Sequence, residues 1–330
     1  MDKNINWGMI GCGQVTEVKS GPGLYKAEHS RLYGVYDVDI MKAQSYASRH
    51  NIEFVFNSID ELLDSDAIDI VYIATPPKFH KECAIKALNK GKHVYVEKPI
   101  SLSHEETMEI CKLANEKNLK LYVAFYRRGQ EKYKQIKELI ESGEIGKLRM
   151  IKVTQQQPIE EVEKNKETLP WRLNKEISGG GKFIDMALHI LDIIQYIVGD
   201  ISEMDGIVDN IGKYYEVDDI VLANFKCNSK LYGQVYGSGS WCYVADKDVD
   251  LVELIGDEGR IEFAGLPGNN FTVEKNGDRK CYEFDVPENV AMPYEQEVVY
   301  ELLGMAKSSA NLEQAINLDK FVSKMYNKEK

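Results

Sequence analysis

Residues 5–16 read INWGMIGCGQVT, a short apolar strand running straight into Gly11, Gly13 and a brief helical segment. The two glycines stand where a strand-to-helix turn must bend tightly and let a phosphate approach the backbone. The pattern Gly11-x-Gly13-x-x-Thr16 is a dinucleotide fingerprint with threonine in place of its third glycine. Such a pattern also arises by chance, and its context gives it weight. The next strand, Arg31 to Tyr36, ends in Asp37, where a carboxylate accepts hydrogen bonds from the adenosine ribose hydroxyls. That charge repels a 2′-phosphate, and no arginine follows immediately, so NAD is expected as cofactor in preference to NADP. The alternative for Asp37 is an ordinary turn residue after a strand.

Strands and helices go on alternating through Ile68 to Ala74, Phe79 to Asn89, His93 to Val96 and Lys120 to Phe125. This alternation implies a parallel, doubly wound sheet with its ligand at the carboxyl ends of the strands. Two of those ends carry chemistry. One is Thr75-Pro76-Pro77, a rigid turn with His80 in the first turn of the following helix. The other is Glu97-Lys98-Pro99, a charged pair locked by proline where a sheet-bound dinucleotide presents its nicotinamide.

A second stretch, Gly179 to Gly199, reads GGGKFIDMALHILDIIQYIVG. Ile184, Leu188, Leu191, Ile194 and Val198 recur at the spacing of a buried helical face. Asp185, His189, Asp192 and Tyr196 fall at i, i+4, i+7 and i+11 and predict one polar line along a single helix. Buried carboxylate and imidazole cost several kcal/mol unless partnered, by roughly the penalty for unsatisfied polar groups, so this line faces a polar partner or a cavity. The plain alternative is a core histidine oriented by an aspartate. A hydride leaves a carbinol carbon only as its hydroxyl proton is removed. That needs a base, for which an imidazole titrating near neutrality is suited, and a cation or donor for the developing alkoxide.

After a linking helix near Gln130 to Ser142, Lys147 to Gln156 alternates as a strand, and the later runs such as Asp219 to Cys227, Val249 to Ile255 and Gly259 to Phe263 predict an antiparallel meander. The last two helices are expected at about Pro293 to Lys307 and Leu312 to Tyr326.

The chain has 330 residues, enough for two domains. Its net charge of −12 argues against nucleic acid or an anionic membrane as partner and for a small molecule. Six cysteines without a C-x-x-C pair suggest neither a zinc site nor a disulfide framework, so no metal is expected. The immediate strand at the start leaves no room for a signal peptide, and no apolar run reaches membrane-span length, so a cytoplasmic location is expected.

Taken in order, Gly11-Cys12-Gly13, Asp37, Ala74 to His80, Glu97 to Pro99, Trp171-Arg172 and Gly179 to His189 resemble the Gfo/Idh/MocA family, which includes glucose-fructose oxidoreductase and inositol dehydrogenases. The resemblance implies an α/β Rossmann domain over residues 1–125. An α+β domain over 126–330 follows, whose open-faced, mainly antiparallel sheet serves substrate binding and homodimer or homotetramer assembly. It implies an NAD(P)-dependent oxidoreductase acting on a carbinol or carbonyl carbon of a sugar, sugar derivative or cyclitol. Lys98, Asp185 and His189 form the implied catalytic set, with the proton passing to either Lys98 or His189. Gly11, Gly13, Gln14, Val15, Asp37, Thr75, Pro76, Pro77, His80, Glu97 and Lys98 are the implied cofactor contacts. Tyr126, Arg127, Trp171 and Arg172 are the expected substrate contacts. Two other readings stay open: a glycosidase using NAD for transient oxidation, and a non-catalytic dinucleotide or sugar sensor.

Overall fold

The structure, a computed structural model, describes residues 3–326. The chain forms two compact units. Residues up to 130 join 287–312 in the first, and residues 131–286 join 313 onward in the second. Residues 126–130 and 287–312 thus group with the first unit.

Among the described residues, six strands of the first unit form a sheet: β1 Ile5–Ile10, β2 Ser30–Tyr36, β3 Phe54–Val55, β4 Ile70–Ile73, β5 His93–Val96 and β6 Leu121–Val123. Their order is β3-β2-β1-β4-β5-β6, and every pairing is parallel. A parallel sheet is covered on both faces, which is why β4 reads as the uninterrupted apolar run IVYI and is buried throughout. The order reverses beside β1, so the carboxyl ends of β1 and β4 flank the crevice where doubly wound sheets bind ligands. Side-chain caps fix the helix starts: Asp39 accepts from the Met41 and Lys42 amides, and Ser58 and Ser103 each accept from the amide three residues on.

The second unit holds β7 Leu148–Gln156, β8 Asp200–Asp209, β9 Ile220–Ser229, β10 Gly233–Cys242, β11 Val249–Gly256, β12 Gly259–Phe263, β13 Asn270–Lys275 and β14 Asp278–Glu283. Their order is β14-β13-β12-β11-β7-β10-β9-β8. The sheet is mainly antiparallel, as expected, but it is not a simple meander. β7 enters its centre, antiparallel to β11 and parallel to β10. Along β9, Val221, Ala223, Phe225 and Cys227 are buried, while Leu222, Asn224 and Asn228 point to the open side. Ile207 and Tyr236 are also exposed.

Within the first unit, the helix Met292–Leu302 carries Glu295 into the core. This carboxyl is fully buried and sits over Gly23, where a β-carbon would lie 1.7 Å from Oε2. Neither of its oxygens has a hydrogen-bond partner among the described residues. Burial, and then the nearby Glu97 charge, push its pKa well above the carboxylate range. Unfolded glutamate ionises near about 4.3, so above that pH the folded state binds more protons than the unfolded one. Stability is therefore lost as pH rises, with a limiting slope of about 1.4 kcal/mol per pH unit for one group. Glu295→Gln should remove this loss. The gap in thermal midpoint between variant and wild type is expected to widen from pH 5 to pH 8, and a constant gap contradicts the assignment.

Candidate functional site

In the first unit the site is built from loops leaving β1, β2, β4 and β5. Gly11 has φ +99°, and a β-carbon there would meet the Ala74 carbonyl oxygen at 2.8 Å, so the turn admits glycine alone. At Gly13 a β-carbon position opens onto space with nothing within 4 Å. The short helix Gln14–Val18 begins there without a side-chain cap. Thr16 fills the place of the third glycine, fully buried, with Oγ1 donating to the Gly13 carbonyl at 2.8 Å. Burial pushes the Cys12 thiol up to about 12, so this cysteine is a neutral packing residue.

Asp37 closes the turn from the side. Its Oδ2 accepts from the Cys12 amide at 2.8 Å and its Oδ1 from the Asp39 amide at 3.0 Å, and each oxygen keeps a lone pair for a ribose hydroxyl. Lys42 Nζ lies 3.6 Å from Oδ2, a cation that a search of the adjacent sequence for arginine does not find.

His80 is fully buried. Its Nδ1 lies 2.8 Å from the Pro99 carbonyl oxygen and its Nε2 2.8 Å from that of Thr75. The imidazole thus braces the loop after β4 against the loop after β5. Burial lowers its pKa, opposed by the two carbonyls. Thr75 Oγ1 is buried without a hydrogen-bond partner among the described residues. Pro77 opens the 3-10 turn Pro77–Phe79, and Pro76 precedes it in extended conformation. Glu97 Oε1 accepts from the Tyr72 hydroxyl at 2.6 Å, and that hydroxyl meets Ser20 Oγ at 2.7 Å. Burial raises the Glu97 pKa. Lys98 follows directly, half-buried. A dinucleotide fits this set. The open space at Gly13 admits a pyrophosphate, Asp37 is placed for a ribose, and the orphaned Thr75 hydroxyl needs a partner.

Tyr126 and Arg127 lie in the 3-10 turn Tyr126–Gly129, with the Arg127 guanidinium 5.3 Å from the Tyr126 ring centroid. Of the neighbouring arginines, Arg128 is buried and donates to the Ser309 carbonyl, leaving Arg127 the more accessible.

In the second unit, the expected single helix from the glycine run is interrupted. Phe183–Ala187 forms a π-turn, and the α-helix spans Leu188–Val198. A π-turn takes one extra residue per turn, so Asp185 is displaced from the α-helical line expected through His189, Asp192 and Tyr196. The line also divides by environment. Asp185 and His189 are half-buried, Asp192 is buried, and the Tyr196 ring lies against Lys137 Nζ at 5.4 Å. The glycines have steric causes: a β-carbon on Gly181 would sit 2.2 Å from the Asp218 carbonyl oxygen, and the Gly181 amide donates to Asp218 Oδ1 at 2.7 Å. Asp185 Oδ2 pairs with Arg172 Nε at 3.1 Å, and the Arg172 guanidinium lies 4.4 Å from the Trp171 ring centroid. Trp171, Arg172 and Asp185 therefore form one stacked, charge-paired surface, partly open to solvent, with His189 one turn further on. Among the described residues no cluster of three or more histidine, cysteine, aspartate or glutamate side chains is arranged to hold a metal, and no helix is long and apolar enough to cross a membrane.

Residues 5–125 match the NAD-binding Rossmann domain of the Gfo/Idh/MocA oxidoreductases, and residues 133–262 match that family's C-terminal domain. The chain belongs to the Gfo/Idh/MocA family. It is accordingly an NAD(P)-dependent oxidoreductase. "Oxidoreductase P35" of Formosa agariphila is 35% identical over 317 residues, 96% of each chain. The myo-inositol 2-dehydrogenase of Thermotoga maritima is 28% identical over 281 residues, covering 82% of this chain and 79% of that one. A levoglucosan dehydrogenase solved with NADH and levoglucosan shares the fold, with a TM-score of 0.83 at 21% identity, over 98% of this chain and 96% of that one.

His80→Leu removes the imidazole from between the two carbonyls, and the one its N–H serves loses its donor at a cost of about 1–3 kcal/mol. A lower thermal midpoint and weaker NAD binding in calorimetric titration are expected. Unchanged NAD affinity in the folded variant contradicts the bracing role.

Proposed function

We propose that this family member oxidises a secondary alcohol or hemiacetal carbon of a sugar, sugar derivative or cyclitol, or runs the reverse reduction, using NAD. The observation that carries the substrate class is the Trp171–Arg172–Asp185 surface. An aromatic face packs against the C–H side of a pyranose or cyclitol ring, while a guanidinium and a carboxylate exchange hydrogen bonds with its hydroxyls. The substrates printed in the names of the myo-inositol and levoglucosan enzymes are of this chemistry.

NAD supplies the hydride acceptor when bound. The chain's own residues handle the proton and the charge. Lys98 Nζ donates to the reacting oxygen and steadies the developing alkoxide. Asp185 orients the substrate hydroxyls and the neighbouring His189. The hydroxyl proton passes to the His189 imidazole or the Lys98 amine. Tyr126 and Arg127 add polar contacts to the substrate. Asp37 favours NAD by its charge, and Lys42 at 3.6 Å offsets part of that selectivity. Assembly uses the open side of the second sheet, where Ile207, Leu222 and Tyr236 are exposed and a second copy would cover them. The enzyme acts in the cytoplasm, a compartment that suits buried thiols such as Cys83 and Cys227.

The test is NADH or NADPH formation at 340 nm over a panel of sugars, sugar acids and inositols, with Lys98→Ala and His189→Ala alongside. Turnover on one polyol class is expected, faster with NAD, and lowered on the order of 10²-fold or more by either substitution. In the double variant the losses should fall short of additivity, because the two groups serve one transition state. Turnover that survives both substitutions contradicts the assignment, and release of free sugar without net NADH points to the glycosidase reading.

A further inference from the structure

The segment 157–178 carries Trp171 and Arg172, yet it has almost no core of its own. Its buried residues are Glu163, Leu173 and Ser178. Leu173 belongs to a small cluster with Tyr215 and Val217, against which Ile159 and Leu169 pack. At its base the segment is tied to the sheet, where the Gln157 amide donates to the Cys242 carbonyl at 2.9 Å. A buried carboxylate in so polar a segment is costly unless a cation answers it. Lys182 answers it: Nζ lies 2.6 Å from Glu163 Oε1, with the side chains 11% and 5% exposed. Glu160 stands further off at 4.0 Å and is exposed, and the Tyr243 ring lies beneath the ammonium at 5.9 Å. The capping box of the helix Glu161–Lys164 holds Glu163 from the other side, because Glu163 Oε2 accepts from the Glu160 amide at 3.0 Å. Lys182 is the residue immediately before the π-turn that bears Asp185.

We propose that Lys182 and Glu163 are positioning residues, a buried ion pair that fastens the segment 157–178 to the π-turn and so sets Arg172 against Asp185. A buried pair of this kind adds little net stability over an apolar pair of similar volume, but it fixes one geometry, because removing either partner leaves an uncompensated charge. The consequence for catalysis rests on the reading of Arg172 and Asp185 as substrate contacts. The fastening itself does not.

The segment contains Lys164, Lys166, Arg172 and Lys175, so trypsin reads its opening without any substrate. The experiment compares the full-length protein with Glu163→Gln and Lys182→Met by limited trypsin digestion with mass mapping, then by steady-state kinetics on the polyol found by the panel. Glu163→Gln keeps the size and one hydrogen bond, and so guards against a variant that fails to fold. Cleavage confined to 164–175 should accelerate about tenfold or more in both variants, in line with the cost of breaking a buried pair. KM for the polyol should rise about tenfold, while kcat and NAD affinity change little, because uniform binding is what is lost. The double variant Lys182→Met/Glu163→Leu should return cleavage and KM most of the way to wild type. The proposal is overturned by unchanged cleavage in both single variants, by cleavage that rises equally along the whole chain, or by a KM increase matched by an equal loss of NAD affinity. A panel that yields no substrate sinks the functional reading and leaves the digestion result to decide the fastening.

Discussion

One buried imidazole joins the loops after β4 and β5 of the first unit. His80 sits between the Thr75 and Pro99 carbonyl oxygens at 2.8 Å on each side, so the turn after β4 and the Glu97-Lys98-Pro99 turn cannot shift independently. A parallel sheet delivers its loops at one edge but leaves their relative heights soft, since each is held only by its own strand. The brace supplies the missing constraint. Asp37 does the same for the first two loops by accepting the Cys12 amide across the turn. Both act through backbone groups.

The second unit solves a different problem. Asp185 lies in the π-turn at Phe183–Ala187, which leads into the helix Leu188–Val198 without breaking that helix's buried face. Arg172 holds the Asp185 carboxylate in place from a segment that has little packing of its own. Geometry that packing would normally fix is here fixed by charge pairs, Arg172 with Asp185 and Lys182 with Glu163. Such pairs are worth less in stability than in definition of a single arrangement.

What the sequence makes legible is local and periodic. Gly11, Gly13 and Asp37 declare the turn because a tight bend, a close backbone approach and a ribose carboxylate each demand a residue type at a fixed spacing. The run IVYI of β4 declares a sheet covered on both faces. What escapes has a long-range or single-residue origin. The return of 287–312 to the first unit leaves no mark near residue 125, because the helix that carries Glu295 reads like any amphipathic helix. The entry of β7 between β10 and β11 is a choice of partner, which alternation along one strand cannot express. The π-turn is one added residue in a 3.6-residue repeat, within the noise of any periodicity count. Lys182 carries no signal of its own in the sequence, and its meaning appears only with Glu163, nineteen positions earlier, folded against it.

The proposed reaction passes a hydride from a ring carbinol carbon to NAD, with the hydroxyl proton leaving separately. The most direct test follows a deuterium placed on that carbon of the polyol found to turn over, reading the reduced cofactor by proton NMR. Deuterium is expected at one face of C4 of the nicotinamide ring and none in solvent. Deuterium released to water, or retained in the product with the cofactor unchanged at completion, contradicts the proposed hydride transfer.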